Sequence, residues 1–225
     1  MLHPRQTRPE LRAQVERLGQ DCHNRRSPAL FDECVLALQQ AAVLHDDAAF
    51  VLLAKAFALI VDQRGHPDEG LHWLHEALER SRRARWFDDQ AELMVLIGRV
   101  HYARADYAAA LELWTEALDV AQRAGELVQW GWAKLGVGQI CDALGHAELA
   151  VAVYTELQGA IRGAGDSRAD VRRLAKLRLF THLNMGVNCL RLQRLDEARV
   201  QYEQGLQLAR ELGIADEEGE ALMRL

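Results

Sequence analysis

The sequence has few of the residues that interrupt helices or crosslink small domains. Its 225 residues include four prolines, four cysteines and 6% aromatic residues. The cysteines form no C-x-x-C pair and are too sparse for a disulfide framework, which predicts a protein of a reducing compartment, the cytoplasm. The N-terminus has no apolar signal-peptide core, and no apolar run approaches the roughly 20 residues that span a bilayer. We therefore expect a soluble protein without a membrane partner.

Charge of one sign is not in large excess either. The 33 acidic residues stand against 27 lysines and arginines, which gives a formal net charge of -6. A general binder of the nucleic-acid backbone normally has a basic excess, so the composition disfavours nucleic acid as a partner. The hydrophobic fraction of 49% is high enough for a folded core, and Ala, Leu, Glu, Arg and Gln dominate. Because these residues are good helix formers, the composition predicts a folded helical protein.

A pattern anchored on glycine recurs three times along the chain. Gly98, Gly138 and Gly186 are each followed by an alanine after twelve residues and by an aromatic residue after sixteen. An earlier copy has Ala58 in the anchor position, so successive anchors are 40, 40 and 48 residues apart, and a degenerate first copy centres on Gly19. Offsets kept over several copies indicate a repeat rather than chance. The alanine and aromatic pairs are Ala110 and Trp114, Ala150 and Tyr154, and Ala198 and Tyr202.

This pattern resembles the tetratricopeptide repeat (TPR), in which a small residue on the first helix lets the second helix of a pair approach closely. The resemblance extends over about residues 8–213 and implies an all-α, right-handed α-solenoid of antiparallel helix pairs, with about five repeats and a partial sixth. The period near 40 residues, rather than about 34, predicts longer helices of the regulatory type of TPR. We expect one domain over 1–225, with repeats at 8–45, 47–85, 88–125, 127–163 and 167–213 and a partial helix at 216–225.

Aspartates mark several predicted helix starts, because a carboxylate can accept hydrogen bonds from the free N–H groups there. Turns within the repeats are predicted at 65–67, 105–106, 144–145 and 193–194, and the 48-residue interval contains an insertion around 163–167. The aspartates that precede apolar helical runs are Asp46 and Asp47, Asp88 and Asp89, Asp166, and Asp216.

The repeat register places the cysteines and the repeat aromatics in the core. Cys22, Cys141 and Cys189 each follow an anchor by three residues, and Cys34 lies near the aromatic position of a second helix. We interpret all four as packed thiols, with metal binding or redox chemistry as the alternative. The three aromatic residues of the pattern are likewise interpreted as core rather than as a stacking surface.

No motif for catalysis or cofactor binding is present in the sequence. It contains no G-x-S-x-G, no G-x-x-x-x-G-K-[ST], no H-E-x-x-H and no dinucleotide fingerprint. His72 and His75 are a close histidine pair on one predicted helix, but they lack an obvious carboxylate or third ligand. We therefore expect no enzyme activity, no cofactor and no metal site. The arginine-rich segment 80–85 is interpreted as a helix end that complements the dipole, with an acidic partner or nucleic acid as the alternative.

The resemblance also implies a binding surface, since the first helices of stacked TPRs line a concave groove that holds peptides or partner helices. Residues six and three before each anchor, and one and four after it, share one helix face. Lys55 fits the TPR clamp for C-terminal carboxylates, but Leu59 and Leu96 replace its asparagines, which disfavours chaperone tails. Packing against a neighbouring repeat is the alternative for each candidate. The candidate binding residues are Lys55, Glu92, Arg99, Tyr102, Trp132, Gln139, Phe180 and Val187.

These features predict a non-catalytic module that binds a protein or peptide segment. By analogy, it is the sensory or interaction domain of a bacterial signalling regulator, whose output domain is a diguanylate cyclase, a kinase or a transcription activator. The sequence stops inside what resembles the first helix of a further repeat, so we expect it to be the N-terminal part of a longer protein. The alternatives are a module for homodimerisation or scaffolding through the C-terminal repeat and a regulatory receptor that responds to a peptide.

Overall fold

The computed structural model describes residues 7–24, 28–61, 67–162 and 171–224. Within these ranges the chain forms eleven helices and no strand, which confirms the all-α prediction. In the same ranges no helix is long and apolar enough to cross a membrane. The helices are α1 (Thr7–Asn24), α2 (Pro28–Val43), α3 (Asp47–Phe57), α4 (Pro67–Ala84), α5 (Phe87–Ala103), α6 (Tyr107–Ala124), α7 (Leu127–Ala143), α8 (Ala147–Arg162), α9 (Val171–Arg191), α10 (Leu195–Leu212) and α11 (Ala215–Arg224).

The chain forms two compact units, Met1–Val120 and Ala121–Leu225. In unit 1, α3 packs against α1, α2, α4 and α5. In unit 2, α7 packs against α8 and α9 against α10, while α9 also contacts α7 and α8 and α10 contacts α11. Each unit is thus built from helix pairs that pack on the next pair, and α6 contributes its first part to unit 1 and its last turn to unit 2.

Most consecutive helices are joined by turns of two or three residues. These turns also donate hydrogen bonds to carbonyl groups in the last turn of the preceding helix. The N–H group after the turn reaches back five residues, as from His146 to the Cys141 carbonyl at 2.8 Å and from Arg194 to the Cys189 carbonyl at 2.9 Å. This is the Schellman pattern, which needs one left-handed residue. The predicted turns at 105–106, 144–145 and 193–194 are confirmed, whereas residues 65–66, the insertion at 163–167 and Asp166 lie outside the described ranges. The left-handed residues are His45, Arg85, Ala105, Gly125, Gly145, Gln193 and Gly213.

The aspartates play two different roles at the helix starts. Asp46 is the N-cap of α3, as predicted, and its carboxylate accepts a hydrogen bond from the backbone N–H three residues later at 3.1 Å. The capping prediction is wrong for Asp88 and Asp89, because the N-cap of α5 is Trp86, which makes no side-chain cap hydrogen bond. The turn ends before the acidic pair, so both aspartates lie in the first helical turn, where their charges complement the dipole without capping the helix. Asp216 likewise lies inside the first turn of α11.

The anchor glycines lie directly against the aromatic rings of their own helix pairs. A Cβ atom added at any of the three would overlap a ring atom, and the three rings are at most 2% exposed. The close approach of the two helices in these pairs therefore depends on glycine, as the sequence pattern predicts. The distances from such a Cβ to the ring are 2.4 Å for Gly98 and Trp114, 2.3 Å for Gly138 and Tyr154, and 2.7 Å for Gly186 and Tyr202.

The cysteines occupy the core with one partial exception. Cys22, Cys34 and Cys189 are buried at 3%, 0% and 0% exposure, which confirms their interpretation as core residues. Cys141 is only half-buried, because it lies in the last turn of α7, where the helix approaches its exposed C-terminal end. The core prediction therefore holds for three cysteines and only in part for Cys141.

Candidate binding faces on the first helices

All candidate residues except Tyr102 fall on two surfaces, one in each unit. We define the unit 1 face on α3 and α5 and the unit 2 face on α7 and α9, the first helices of their pairs. The unit 1 face consists of Leu52, Lys55, Trp86, Asp89, Glu92 and Arg99. The unit 2 face consists of Trp132, Gln139, Asp142, Phe180, Asn184, Val187 and Arg191.

Lys55 is held by two carboxylates of α5. Its Nζ donates to Asp89 Oδ1 at 2.7 Å and to Glu92 Oε2 at 2.9 Å. The lysine side chain is 21% exposed and each carboxylate side chain 30%. Burial alone would lower the pKa of Lys55, but the charge of Glu92 and the hydrogen bonds to both carboxylates together raise it. Lys55 therefore remains a cation at neutral pH and already has two partners.

A surface pocket of 310 Å³ lies beside this cluster. Its walls are largely apolar and include Lys55 and Asp89, and the cluster of one lysine and two carboxylates has an excess of one negative charge. Sequence reasoning identified Lys55 and Glu92 but missed Asp89 and Trp86. The missed signal for Asp89 is its position three residues before Glu92, which puts both on one side of α5. The lining residues are Ala48, Val51, Leu52, Lys55, Trp86 and Asp89.

Arg99 and Tyr102 both contact other parts of unit 1. Arg99 is exposed, and its Nη2 donates to the carbonyl of Ala58, the C-cap of α3, at 3.4 Å. The half-buried Tyr102 ring lies 5.6 Å from the Tyr107 ring and 5.8 Å from the Trp114 ring, between centroids. Tyr102 thus packs towards the second helix of its own pair, which favours a structural role, whereas Arg99 links two first helices and keeps an exposed guanidinium.

Two aromatic rings meet in unit 2. The half-buried rings of Trp132 on α7 and Phe180 on α9 lie 5.8 Å apart at an angle of 56°. The Nζ atom of Lys176 lies 5.9 Å from the centre of the Phe180 ring. Both rings occupy the same repeat position, six residues before their anchors, so the contact joins equivalent positions of successive repeats. Because neither ring is buried completely, the pair offers an apolar surface beside a cation.

Polar groups make hydrogen bonds at other positions of α7 and α9. Asn184 Nδ2 donates to the Phe180 carbonyl at 2.7 Å, and Arg191 Nη1 donates to the Asp142 carbonyl at 3.1 Å and also to its carboxylate. Gln139 and Val187 each follow an anchor by one residue and are half-buried. Sequence reasoning missed Asn184, whose hydrogen bond lies within α9, and Arg191, whose contact with Asp142 depends on how α7 and α9 pack together.

The arginine-rich segment is engaged with carboxylates of its own unit. Arg80 pairs with Glu76 at 2.8 Å and with Asp47, and its guanidinium lies over a phenylalanine ring. Arg82 pairs with Glu116 of α6 at 2.7 Å. The contacts with Asp47 and Glu116 cross between helices, which favours the structural interpretation of the segment over nucleic-acid binding.

His75 and His101 lie near each other but do not form a metal-binding cluster. The rings of His75 and His101 are 6.4 Å apart, and His101 Nδ1 lies 3.1 Å from Asp106 Oδ2. Burial, followed by the charge of His101, lowers the pKa of His75. Across the described ranges, no group of three or more His, Cys, Asp or Glu side chains is placed to hold a metal ion.

Comparison with known proteins identifies the fold. No protein-family model matches the sequence, and no curated protein matches it either. Among solved structures, the chain is similar to BtubC (BKLC) from P. vanneervenii, with 20% identity, a TM-score of 0.61, and coverage of 88% of this chain and 74% of that chain. It is also similar to NprR, solved in complex with its cognate peptide NprX, with 19% identity and a TM-score of 0.69, over 99% of this chain and 60% of NprR.

A third similar structure is a putative kinesin light chain from Podosopora anserina with nearly identical TPR-like repeats. The identity is 14% and the TM-score 0.62, over 94% of this chain and 99% of that chain. At these identities the similarity concerns the fold, and it agrees with the helix pairs and the contacts between anchor glycines and aromatic rings described above. The chain therefore has a TPR-like α-solenoid fold of antiparallel helix pairs, as the repeat pattern in its sequence predicts.

Proposed function

We propose that the chain is a non-catalytic module that binds a protein or peptide segment through the faces of its first helices. The main support is the Trp132 and Phe180 pair, two half-buried rings on adjacent first helices with Lys176 beside them. Aromatic residues and cations of this kind supply most of the energy at protein interfaces. The peptide complex of NprR, which has a similar fold, adds support for a peptide as the ligand.

The two faces differ in chemistry, which bears on the ligand. The unit 1 face has a largely apolar pocket lined in part by Lys55 and Asp89, whereas the unit 2 face has aromatic rings with Lys176 beside Phe180 and has Arg191 bound to Asp142 elsewhere on α7 and α9. We propose that residues 1–225 act as one cytoplasmic binding domain of a bacterial signalling regulator, with an output domain elsewhere in the protein. The longer repeat period supports this regulatory setting, since regulatory TPR proteins share it.

Peptide binding is tested by selection from a displayed library of random peptides on the immobilised chain. We expect enriched peptides, and we expect Phe180→Ala to weaken the binding of a labelled selected peptide at least tenfold in fluorescence anisotropy. Loss of a central aromatic contact typically costs about 2 kcal/mol or more, which exceeds a tenfold change in Kd.

The matched control is Phe87→Ala, which removes the same side chain from a position that is 53% exposed and outside both faces. Its Kd should equal that of the wild type, and circular dichroism should show that both variants keep their helical content. Failure to enrich any peptide, or equal weakening by the two substitutions, would contradict the proposal.

Self-association through α11 is a second candidate function. Leu222 and Met223 on this helix are 50% and 84% exposed, so an apolar edge is open to a second copy. In this case, light scattering should show a dimer for the wild type and a monomer for Met223→Glu at the same protein concentration. Val43→Glu, at a position of 77% exposure on α2, should leave the dimer intact. A monomer at every concentration would rule out this candidate.

A further inference from the structure

Two thiols face each other inside the first helix pair. The Sγ atoms of Cys22 on α1 and Cys34 on α2 are 3.6 Å apart, in contact but not bonded. The two residues are 3% and 0% exposed. No thiol contact of this kind involves Cys141 or Cys189 in the residues described for unit 2. The pair is therefore placed for chemistry that the binding faces do not use.

The contact makes the two sulfur atoms chemically different. With Cys34 as the donor, its hydrogen bond lowers the pKa of Cys22, against the opposing effects of burial and of the Asp21 charge. The same hydrogen bond, together with burial, raises the pKa of Cys34. In contrast, burial raises the pKa of both Cys141 and Cys189. Because the thiolate is the form that reacts with oxidants, Cys22 is the favoured site of first attack.

We propose that Cys22 and Cys34 form a reversible intramolecular disulfide when the protein meets hydrogen peroxide. The sulfur atoms need to approach by about 1.5 Å to reach the length of an S–S bond, a distance that side-chain rotation and a small helix shift can supply. Because Cys22 is 3% exposed, a transient opening of the first helix pair would be needed to admit the oxidant.

The reaction balances in two steps. The Cys22 thiolate attacks one peroxide oxygen, so that an S–O bond forms, the O–O bond breaks, and the departing hydroxide takes up a proton and leaves as water. The Cys34 sulfur then attacks the sulfenic sulfur of Cys22, so that the S–S bond forms, the S–O bond breaks, and the hydroxide leaves as water with the Cys34 proton. Two thiols lose two electrons and two protons, and one peroxide becomes two waters.

The disulfide would tie α1 to α2 across the residues that connect them. A crosslink restricts the unfolded chain more than the folded one, so the first helix pair should resist unfolding more strongly when it is oxidised. Reduction by a dithiol would restore the present structure. The site therefore links the stability of the first helix pair to peroxide, independently of the proposed binding function.

The test uses the whole chain and peptide mass spectrometry. Each cysteine can be followed separately, because tryptic cleavage places every cysteine in a different peptide. The folded protein is treated with hydrogen peroxide, freed of oxidant, unfolded, alkylated with N-ethylmaleimide and digested. We expect peptide 18–25 to be joined to peptide 27–55 by a disulfide, and the N-ethylmaleimide-modified forms of both peptides to disappear. The peptides 135–162 and 179–191, which contain Cys141 and Cys189, should remain alkylated. Treatment with dithiothreitol should release the joined pair.

The variants separate this pairing from general oxidation. Cys34→Ser should abolish the joined peptide and leave Cys22 as a sulfenic or sulfinic acid, whereas Cys189→Ser should leave the joined peptide unchanged. Separate alkylation of peptides 18–25 and 27–55 after peroxide treatment would overturn the proposal. A crosslink between two chains, seen as a dimer on a non-reducing gel, would overturn it as well.

Discussion

Gly138→Ala should lower the free energy of unfolding by about 2 kcal/mol, although alanine is the better helix former. The added Cβ would lie 2.3 Å from Cε1 and 2.7 Å from Cζ of Tyr154, a ring that is 0% exposed and enclosed by the unit 2 core. The ring has no space into which it could move, so the helices α7 and α8 would be forced apart. The measurement is urea unfolding followed by circular dichroism.

Gly159→Ala in the same unit is the matched control. Gly159 lies within α8, and a Cβ added there meets nothing within 4 Å, so this change should instead raise the free energy of unfolding by about 1 kcal/mol. In a Tyr154→Ala background, Gly138→Ala should lose most of its cost, because the ring that it strikes is absent. If the two glycine substitutions had effects of the same sign, the close contact would not control the stability of this pair.

Lys55→Met should lower the free energy of unfolding by about 2 kcal/mol. The substitution keeps the apolar stem but leaves Asp89 and Glu92 facing each other without the cation that now binds both. The three side chains are 21% to 30% exposed, so water screens the repulsion in part and the loss is smaller than for a fully buried pair. Thermal and urea unfolding at low ionic strength measure the effect.

Arg104→Met is the control for a surface ion pair. Arg104 binds Asp68 at 2.7 Å, but the two side chains are 40% and 85% exposed, so its loss should change stability by less than about 0.5 kcal/mol. Adding Glu92→Gln to Lys55→Met should recover part of the lost stability, because one of the two facing carboxylates is then neutral. Equal effects of the two single substitutions would show that the Lys55 cluster is no more than a surface pair.

The Lys55 result also matters for binding experiments. Lys55 is a candidate ligand contact by its repeat position, yet two carboxylates already hold it. A loss of peptide binding in Lys55→Met would therefore reflect a changed unit 1 face as well as a lost contact. Phe180→Ala is the more direct probe, because its ring is half-buried and borders the exposed part of the unit 2 face.

The repeat and its core could be predicted from the sequence because the decisive contacts are local. Each anchor glycine and its aromatic partner lie sixteen residues apart, within one helix pair joined by a short turn, so the repeated spacing and the turn together place them opposite each other. The same locality explains why the turns at 105–106, 144–145 and 193–194 were predictable. The capping role assigned to Asp88 and Asp89 failed because the position of the turn depends on the end of α4.

The sequence by itself determined the helical class and the pairing of helices, since these follow from composition and repeat register. Only the tertiary structure decided which side chains of different helices contact one another in the clusters described above. Lys55 with Asp89 and Glu92, Trp132 with Phe180, and Cys22 with Cys34 each join different helices. Such contacts depend on the angle and offset at which two helices pack, and, unlike the contacts between glycine and ring, these three follow no spacing that recurs along the chain.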